Sequence, residues 1–389
     1  MRIALSGWFW NRPETGSGQY LRELLRVLTL HHPETEFLLV APPDRFDAEA
    51  ALFGGQRVPL PAPPAPLGKL WWEQVLLPRL ARRLRVDLLH VPYWAPPLVS
   101  PVPTLVTVHD LIPRLLPAYR GGLHVRAYTA LVSAATPRAT LVLTDSQAAC
   151  TDIVAHLNVA PEKVRVVYLA TSSRYHPEPR GDERVLAKYA LEAGYTLYLG
   201  GFDVRKNLSA LLRAFKRVDE ALGGEVRLVV AGRLPARDSP FAPDPRRLAG
   251  EAHLPEERVC FLGFVPEEEK PALYRQARAF VFTSRYEGFG LPPLEALASG
   301  TPVVGSDAAS LPEVVGDAGV LTHPDDVAGM AGALIQLYTD EPFHRELSRR
   351  AVEQAGRFSW RRTAQETFAA YQEIVANLSP RRARRLPRG

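Results

Sequence analysis

Short runs of β-branched residues and leucine alternate with longer amphipathic stretches along most of the chain. The short runs predict buried strands, and apolar residues every three or four positions predict helices that pack on them. Such alternation is typical of α/β folds with parallel sheets. In the first half, the predicted strands are Arg2–Gly7, Glu36–Ala41, Val86–Val91, Thr104–His109, Thr140–Thr144 and Val164–Tyr168, and the predicted helices are Gln19–Leu30, Leu70–Leu84, Gly122–Ala135 and Ser146–His156.

A second series of the same kind follows a polar stretch at Ala170–Asp182, which is the predicted linker. Its predicted strands are Thr196–Gly200, Val226–Ala231, Arg258–Leu262, Ala279–Thr283, Pro302–Ser306 and Gly319–Thr322, and its predicted helices are Asn207–Leu222, Glu267–Ala277, Leu294–Ser299 and Pro324–Thr339. A length of 389 residues also favours two domains. Because open α/β sheets bind ligands at the carboxyl ends of their strands, two such halves predict a cleft between those edges.

The composition is that of an ordinary globular protein, with 46% hydrophobic and 23% charged residues. A net charge of +5 does not indicate a nucleic-acid partner. Cys150 and Cys260 are far apart and no C-x-x-C motif occurs, which argues against a structural zinc and predicts buried thiols in a reducing cytoplasm. The segment Met1–Gly7 predicts a strand rather than a signal peptide, and no apolar run approaches the ~18 residues of a membrane span.

The segment Arg285–Glu295 combines two carboxylates, two glycines and two adjacent prolines. Glycines free the backbone, while Pro292 and Pro293 suit a first helical turn and disfavour a helix running through them. We therefore expect Glu287 on a loop after a strand and Glu295 in the first turn of the next helix. Both carboxylates would then reach one polar ligand. The alternative is an ordinary strand–turn–helix connection with two solvated glutamates.

Two further segments place charged side chains where a predicted strand ends. Arg205 and Lys206 follow the strand that ends at Gly200, and adjacent cations there suit a diphosphate. The alternative is a solvated charge pair in a loop. His109 lies where another buried strand meets its loop, so its imidazole could donate to a sugar hydroxyl or stabilise developing charge. The alternative is a histidine that only caps the strand.

The glycines Gly16 and Gly18 precede the helix Gln19–Leu30. Glycines there allow backbone N–H groups to approach an anion at the helix N-terminus. A tight turn without a ligand explains them equally well. A dinucleotide fingerprint would require a further glycine where this chain has Leu21, which disfavours a dehydrogenase.

Taken together and in this order, these segments resemble the retaining GT-B glycosyltransferases of family 4. The similarity extends from about residue 1 to about residue 375. The stretch Glu287–Glu295 is similar to the E-x7-E signature of that family, including its E-G-F-G-L-P form. The other matching segments are Arg205–Asn207, Val303–Leu321, Thr15–Tyr20, Trp72–Gln74 and Val108–Asp110.

The resemblance implies two doubly wound Rossmann-like domains that face a central cleft. Residues 1–172 would form the acceptor-side domain, residues 190–357 the donor-binding domain, and residues 376–389 a basic tail. A last helix over 358–375 would cross back to the first domain. The tail from Pro380 is predicted to be solvated and disordered, the alternative being contact with anionic lipid headgroups.

The resemblance also implies a role for each candidate residue. Glu295 would bind the ribose hydroxyls, Glu287 the sugar and its oxocarbenium-like transition state, and Arg205 with Lys206 the departing diphosphate. Catalytic residues would thus be Glu287, His109, Arg205 and Lys206, and donor contacts would come from Gly16, Gly18, Gly201, Val265, Phe289, Gly290, Leu291 and Glu295. Val265 would meet the nucleobase through its backbone.

The implied reaction moves a hexose from a nucleotide-diphosphate sugar to a glycan, lipid-linked or small-molecule acceptor, with retention and with neither a metal nor another cofactor. The mannosyltransferase-like motifs favour GDP-mannose. Alternatives on the same fold are a sugar-nucleotide epimerase and a non-catalytic binding protein. We expect a cytoplasmic protein without a nucleic-acid partner. Trp71 and Trp72 are either packed on their own domain or in contact with the cytoplasmic face of a membrane.

Overall fold

The computed structural model describes residues 1–51, 53–64 and 67–383 of the chain. Its contacts divide it into two compact units. The first unit contains Met1–Leu169 together with the stretch from Ser359 onward, and the second contains Ala170–Phe358. Each unit has its own parallel sheet and its own hydrophobic core.

In the described part of the first unit, parallel strands form a sheet in the order β3-β2-β1-β4-β5-β6-β7. Its strands are β1 Arg2–Ser6, β2 Glu36–Ala41, β3 Gln56–Pro59, β4 Leu88–Val91, β5 Thr104–Thr107, β6 Leu141–Thr144 and β7 Val164–Val166. Its helices are α1 Gly16–His31, α2 Gly68–Trp71, α3 Leu77–Arg83, α4 Ile112–Leu115, α5 Leu123–Ala135 and α6 Gln147–Leu157, with a π-helical turn at Trp72–Leu76 between α2 and α3. The strand order reverses between β1 and β4, which is where doubly wound sheets bind ligands.

The second unit repeats this arrangement in the order β10-β9-β8-β11-β12-β13, again with parallel pairing. Its strands are β8 Tyr195–Leu199, β9 Leu228–Ala231, β10 Val259–Gly263, β11 Ala277–Phe282, β12 Val303–Ser306 and β13 Gly319–Thr322. Its helices are α7 Asp182–Lys188, α8 Leu208–Ala221, α9 Pro245–Glu251, α10 Lys270–Gln276, α11 Leu291–Ala298, α12 Leu311–Val315, α13 Val327–Thr339 and α14 Glu341–Ala355. The order reverses between β8 and β11.

The last helix, α15 Trp360–Ala383, belongs to the first unit although it follows the second in sequence. The phenol of Tyr371 on this helix lies 2.7 Å from Nδ1 of the buried His90 on β4. Near the start of the same helix, Thr363 donates a hydrogen bond to the carbonyl of Tyr168, and Glu373 pairs with Arg165 at 2.8 Å. These contacts join the two separate stretches of chain that build the first unit.

The prediction of two doubly wound, Rossmann-like α/β units with a C-terminal helix is confirmed. Burial explains why the sequence predicts these strands: β4, β5 and β6 are buried along their whole length and consist largely of leucine, valine and threonine. The two thiols, by contrast, are half-buried rather than buried.

The structure departs from the local predictions in two places. The edge strand β3 was not predicted, and it tolerates Pro59 because its outer side needs no ladder partner. Helix α15 continues to Ala383, so residues 380–383 are helical where a disordered tail was predicted; residues 384–389 lie outside the described part. Of the two alternatives for the tryptophan pair, packing on their own domain holds for Trp72, which is fully buried and whose indole N–H donates to the carbonyl of Leu60, whereas Trp71 is exposed.

Candidate functional site

The candidate site in the second unit lies at the reversal point of its sheet. Strands β8 and β11 are neighbours there, although about eighty residues separate them in sequence. Arg205 and Lys206 lie in a short 3-10 turn after β8, and Glu287 lies in the connection after β11. Because the carboxyl ends of neighbouring parallel strands share one edge, the fold brings these three side chains together.

The carboxylate of Glu287 bridges the two cations. Its Oε2 lies 2.6 Å from Nη1 of Arg205, and its Oε1 accepts a hydrogen bond of 2.7 Å from Nζ of Lys206. Arg205 also donates to the carbonyl of Tyr286 at 2.8 Å, and the Lys206 ammonium lies 4.9 Å from the centre of the Phe282 ring. All three charged side chains are largely removed from solvent, with Glu287 13% exposed. The trio itself carries a net charge of +1, and Asp203 lies 3.6 Å from Nε of Arg205 beside it.

Backbone contacts hold the two loops together around this trio. The amide of Arg285 donates to the carbonyl of Arg205 at 2.9 Å, and Thr283 donates to the carbonyl of Lys206 at 2.8 Å. Asn207 adopts a left-handed conformation with φ of 54°, and its side-chain amide donates to the carbonyl of Pro324. Asparagine tolerates this conformation better than most residues, so its position after the two cations has a local reason.

The electrostatic state of Glu287 follows from these contacts. Burial alone would raise the pKa of its carboxyl group, but the charges of Lys206 and Arg205 outweigh burial and hold the pKa below its ordinary value. Glu287 is therefore ionised at neutral pH. A carboxylate with a lowered pKa is a weak proton acceptor but a good partner for positive charge.

The turn between Glu287 and α11 is fixed by Ser310. Its hydroxyl contacts the carbonyl of Glu287 at 3.0 Å and that of Phe289 at 2.6 Å. Gly290 has a φ of +117°, a conformation that side chains rarely adopt, and α11 begins at the next residue, Leu291. Pro292 and Pro293 have no N–H and the amide of Leu294 donates to the carbonyl of Gly290, so in the first turn of α11 the amide of Leu291 is the group that can donate to an anion.

Glu295 lies on α11 but not where it was predicted. Because the helix begins at Leu291, Glu295 is in its second turn and not its first. Its side chain is buried, and Tyr274 donates a hydrogen bond of 3.0 Å to its Oε2. Burial raises the pKa of this carboxyl group to about 7, although the charge of Lys270 lowers it. A ligand that donates hydrogen bonds to Glu295 would favour the ionised form.

Two other predicted donor contacts lie on the same sheet edge. Gly201 is exposed just after β8, and its carbonyl accepts a hydrogen bond from the phenol of Tyr198. Val265 follows β10, but its side chain is buried in the core, so only its backbone could contact a ligand. The exposed ring of Phe264 beside it lies under the guanidinium of Arg233 at 5.3 Å.

In the first unit, His109 follows β5 and pairs with an acid that was not predicted. Its Nδ1 lies 2.6 Å from Oδ2 of Asp145, which follows the neighbouring strand β6, and its Nε2 lies 3.3 Å from the carbonyl oxygen of Pro92. Both partners accept hydrogen bonds, so both ring nitrogens are satisfied only in the protonated imidazolium. Burial would lower the pKa of His109, but Asp145 raises it above its ordinary value. A sugar hydroxyl would have to compete with Pro92 for Nε2.

Replacing Asp145 by Asn should lower the pKa of His109, because the main source of negative charge at Nδ1 is removed. We expect the titration midpoint of His109, followed by NMR of selectively labelled histidine, to move down by about one unit or more, as for other buried charge pairs. Asp317→Asn, at an exposed position in the second unit, is the control. An unchanged midpoint in Asp145→Asn would contradict the pairing.

The predicted glycines differ in what they do. A side chain on Gly18 would collide with the carbonyl of Arg12 at 2.0 Å, so packing within the unit is enough to require glycine there. A side chain on Gly16 would meet nothing within 4 Å, which leaves open space at the start of α1. Thr15 caps this helix by accepting a hydrogen bond from the amide of Gly18. Gly16 is thus the glycine whose backbone a ligand could approach.

No group of metal-ligating side chains occurs within residues 1–51, 53–64 and 67–383. The adjacent acids Asp325 and Asp326 have other partners: Asp325 pairs with Arg285 at 2.9 Å, and Asp326 caps α13 by accepting from the amide of Gly329 at 2.9 Å.

Comparison with protein families gives two matches that together cover most of the chain. Residues 15–172 match the model described as Glycosyltransferase Family 4. Residues 187–356 match the model described as Glycosyl transferases group 1. The two matched ranges fall in the first and second unit respectively, apart from three residues at the boundary.

Several curated relatives are mannosyltransferases. The chain is 35% identical over 270 residues to O-antigen chain mannosyltransferase B of Escherichia coli, covering 69% of this chain and 70% of that protein. It is 31% identical over 279 residues to the serotype-specific mannosyltransferase WbdA of Escherichia coli, covering 71% of this chain but only 34% of that longer protein. It is 34% identical over 248 residues to MMP alpha-(1->4)-mannosyltransferase of Mycolicibacterium hassiacum, covering 61% and 55%.

Solved structures share the fold over nearly the whole chain. Sucrose-phosphate synthase from Thermosynechococcus elongatus superposes with a TM-score of 0.75 at 22% identity, covering 97% of this chain and all of that one. Anabaena HepE, in complex with UDP and glucose, superposes with a TM-score of 0.75 at 19% identity, covering 96% and 99%. At these identities the similarity shows the two-unit fold alone.

Proposed function

Because the chain belongs to the group 1 glycosyl transferases, we propose that it moves a hexose from a nucleotide-diphosphate sugar to a glycan acceptor. The observation that carries the proposal is the bridging of Arg205 and Lys206 by Glu287 at the reversal point of the second sheet. This arrangement provides positive charge for a departing diphosphate. It also provides a buried carboxylate for the positive charge that develops on the transferred sugar.

Each group in the second unit then has a separate task. Arg205, Lys206 and the amide of Leu291 at the start of α11 neutralise the diphosphate as the glycosidic bond breaks. Glu287 holds sugar hydroxyls and stabilises the oxocarbenium-like transition state. Glu295 accepts hydrogen bonds from the ribose. In the first unit, the imidazolium of His109 contacts the transferred sugar, and the open backbone at Gly16 approaches the donor phosphates.

We also propose that the sugar is transferred with retention. The paired carboxylate of Glu287 is a weak base because its pKa is lowered by two cations. The acceptor proton therefore goes to a phosphate oxygen of the donor, on the same face of the sugar that the leaving group occupies. Proton NMR of the first product formed tests this directly, because a retaining enzyme gives the same anomeric configuration as the donor sugar.

Transfer should proceed at its full rate in excess EDTA. In our proposal Arg205, Lys206 and the amide of Leu291 supply the positive charge that a divalent cation supplies in other transferases. Initial rates with and without the chelator check this. Loss of activity that magnesium or manganese restores would contradict the metal-free proposal.

Donor binding should release protons near neutral pH. The buried carboxyl group of Glu295 has a pKa raised to about 7, and ribose hydroxyls that donate to it would lower that pKa. We therefore expect affinity for the nucleotide sugar to rise as the pH rises through about 7, with release of a fraction of a proton. Calorimetry in buffers of different ionisation enthalpy measures this. The Glu295→Gln variant should show neither effect, whereas unaltered proton release in that variant would assign the linkage to another group.

The donor is proposed to be GDP-mannose, and the acceptor a mannose-containing glycan. The supporting observations are the mannosyltransferase relatives and the resemblance of the sequence motifs to those of mannosyltransferase-like members of the family. A thermal-shift panel of nucleotide sugars and free nucleotides, followed by transfer assays, is the test, since the correct donor stabilises the fold by mass action. If the product is a sugar nucleotide in which one stereocentre of the sugar is inverted, and no sugar is transferred, the protein is instead an epimerase.

Contact with a membrane is not part of this proposal. Among the described residues, no helix has both the length and the apolar character needed to cross a bilayer.

A further inference from the structure

A second polar cluster in the first unit surrounds the side chain of Lys69. Its ammonium lies 3.4 Å from Oε1 of Glu73 and donates a hydrogen bond of 3.3 Å to the phenol of Tyr128. Tyr128 in turn donates to Oε2 of Glu73 at 2.8 Å. Three rings surround the same ammonium, with centroids at 5.6 Å for Phe9, 5.7 Å for Tyr93 and 4.9 Å for Tyr128.

The cluster lies where a doubly wound sheet binds ligands. Ser6, the last residue of β1, contacts the phenol of Tyr93 at 2.9 Å, and Tyr93 follows the end of β4. The ring of Phe9, in the loop after β1, meets the ring of Tyr93 edge to face at 4.9 Å. Strands β1 and β4 are the neighbours at which the order of this sheet reverses, so the rings line its reversal point.

Local geometry indicates that this cluster is more than packing. Glu73 lies in the π-helical turn Trp72–Leu76, and such turns are frequent at functional sites. The Glu73 side chain is 1% exposed, and its Oε1 is paired with the Lys69 ammonium at 3.4 Å, which is longer than a strong charge-assisted hydrogen bond. Burying a carboxylate is costly unless it is paired, so this oxygen depends on Lys69 and has room for a further hydrogen bond. The side-chain amide of the neighbouring Gln74 already has partners at both atoms: its nitrogen donates to the carbonyl of Pro96, and its oxygen accepts from the amide of Leu98.

Lys69 connects this buried carboxylate with solvent, because its own side chain is 36% exposed. A sugar hydroxyl can accept a hydrogen bond from the ammonium and, after a small rotation of the lysine, donate one to Oε1 of Glu73. The partly exposed ring of Phe9 offers an apolar face beside these polar groups, and the buried ring of Tyr93 packs behind it. Apolar walls with a few fixed polar groups are the usual lining of a small-molecule site.

We propose that Lys69, Glu73 and the rings of Phe9, Tyr93 and Tyr128 form the acceptor subsite, which binds a sugar ring of a neutral glycan. This inference rests on the proposed function and extends it. The lysine and the glutamate balance each other, whereas the trio at Glu287 has a net charge of +1. The cluster in the first unit therefore suits an uncharged sugar rather than a phosphate.

The test separates acceptor kinetics from donor kinetics in Lys69→Met, which removes the charge and keeps most of the side-chain length. With a short α-mannoside oligosaccharide as the acceptor probe, we expect acceptor KM to rise about tenfold or more, the usual effect of losing a hydrogen bond to a charged group. Donor KM and donor hydrolysis without acceptor should stay unchanged. Phe9→Leu should also raise acceptor KM while leaving the ion pair intact.

Lys216→Met is a closely matched control, because Lys216 pairs with the glutamate four residues later at the same N–O distance of 3.4 Å, but on α8 of the second unit. An acceptor KM within twofold of wild type in both Lys69→Met and Phe9→Leu would overturn the proposal. If Lys69→Met does not fold, Phe9→Leu alone decides.

If the wild-type protein transfers a sugar from none of the donors tested, the proposed function is contradicted, but the acceptor subsite can still be tested by binding. Calorimetric binding of the same oligosaccharide to wild type and to Lys69→Met, or to Phe9→Leu if the lysine variant does not fold, then tests the subsite. Equal affinity of the variant and wild type, or no binding to either, would overturn the subsite.

Discussion

Replacing Glu287 by Gln should lower kcat by about a hundredfold or more, as removal of a preorganised charge does in other enzymes. The amide cannot stabilise the positive charge that develops on the transferred sugar. Affinity for the free nucleoside diphosphate should not fall, since Arg205 and Lys206 lose a competing counter-ion. Steady-state rates and calorimetric titration of the diphosphate measure the two effects.

The same substitution should lower the melting temperature at neutral pH, because two neighbouring cations are left without their shared partner. The pKa of Glu287 is lowered by folding from an ordinary value of 4.5. Its stabilising contribution is therefore present above that pH and is lost as the pH falls through the lowered pKa. The difference in melting temperature between variant and wild type should shrink in acid.

Glu346→Gln provides a matched control for both measurements. Glu346 also contacts two guanidinium groups, those of Arg349 at 2.8 Å and Arg350 at 2.7 Å, but on the exposed surface of α14. Exposed pairs contribute little to stability, so this variant should keep wild-type rates and nearly wild-type melting. Unchanged turnover in Glu287→Gln would mean that the glutamate only positions the two cations.

The second large effect is expected in Lys206→Ala. Loss of the ammonium removes charge from the diphosphate in both the bound donor and the transition state, so donor KM should rise and kcat should fall. We expect kcat/KM to drop by about a hundredfold or more, equivalent to about 3 kcal/mol. Arg205→Ala should behave similarly. Affinity for the nucleoside diphosphate should fall in both variants, the opposite direction from Glu287→Gln.

Lys188→Ala is the control for this pair. Lys188 also forms a close ion pair, with Glu269 at 2.5 Å, but its side chain is half exposed on α7. Its removal should leave donor KM and kcat unchanged. Normal transfer by Lys206→Ala and Arg205→Ala together would contradict the assignment of both cations to the diphosphate.

Much of the candidate site could be predicted because its residues follow buried strands. The runs ending near Leu199 and Phe282 are mostly apolar and buried, so the sequence indicates where each strand stops and which polar residues come next. The direct ion pairs of Arg205 and Lys206 with Glu287 were not predicted. The sequence assigned Arg205 and Lys206 to phosphate and Glu287 to sugar, and only the pairing of β8 with β11 brings them into contact.

Other features depend on packing that no local pattern contains. The two prolines indicate a helix start, but Gly290 makes the turn and the helix already begins at Leu291. Glu295 therefore lies in the second turn of the helix and not in the first. The partner of His109 is Asp145, which directly follows the neighbouring strand β6. An acid at the end of a predicted strand is a pattern that could have indicated this partner. Glu73 lies in the matching segment Trp72–Gln74, but its partner Tyr128 could not be predicted because that residue is on a helix far away in sequence.

The return of α15 to the first unit has a consequence for synthesis on the ribosome. The imidazole of His90, whose pKa is lowered to about 3 by burial, has Tyr371 as its partner at Nδ1. Tyr371 is translated only after residues 170–358, which form the whole second unit. Although domains generally fold in the order of their synthesis, the first unit of this chain cannot complete its core until the second has emerged. A nascent chain stalled before α15 would therefore hold a finished second unit and an incomplete first one.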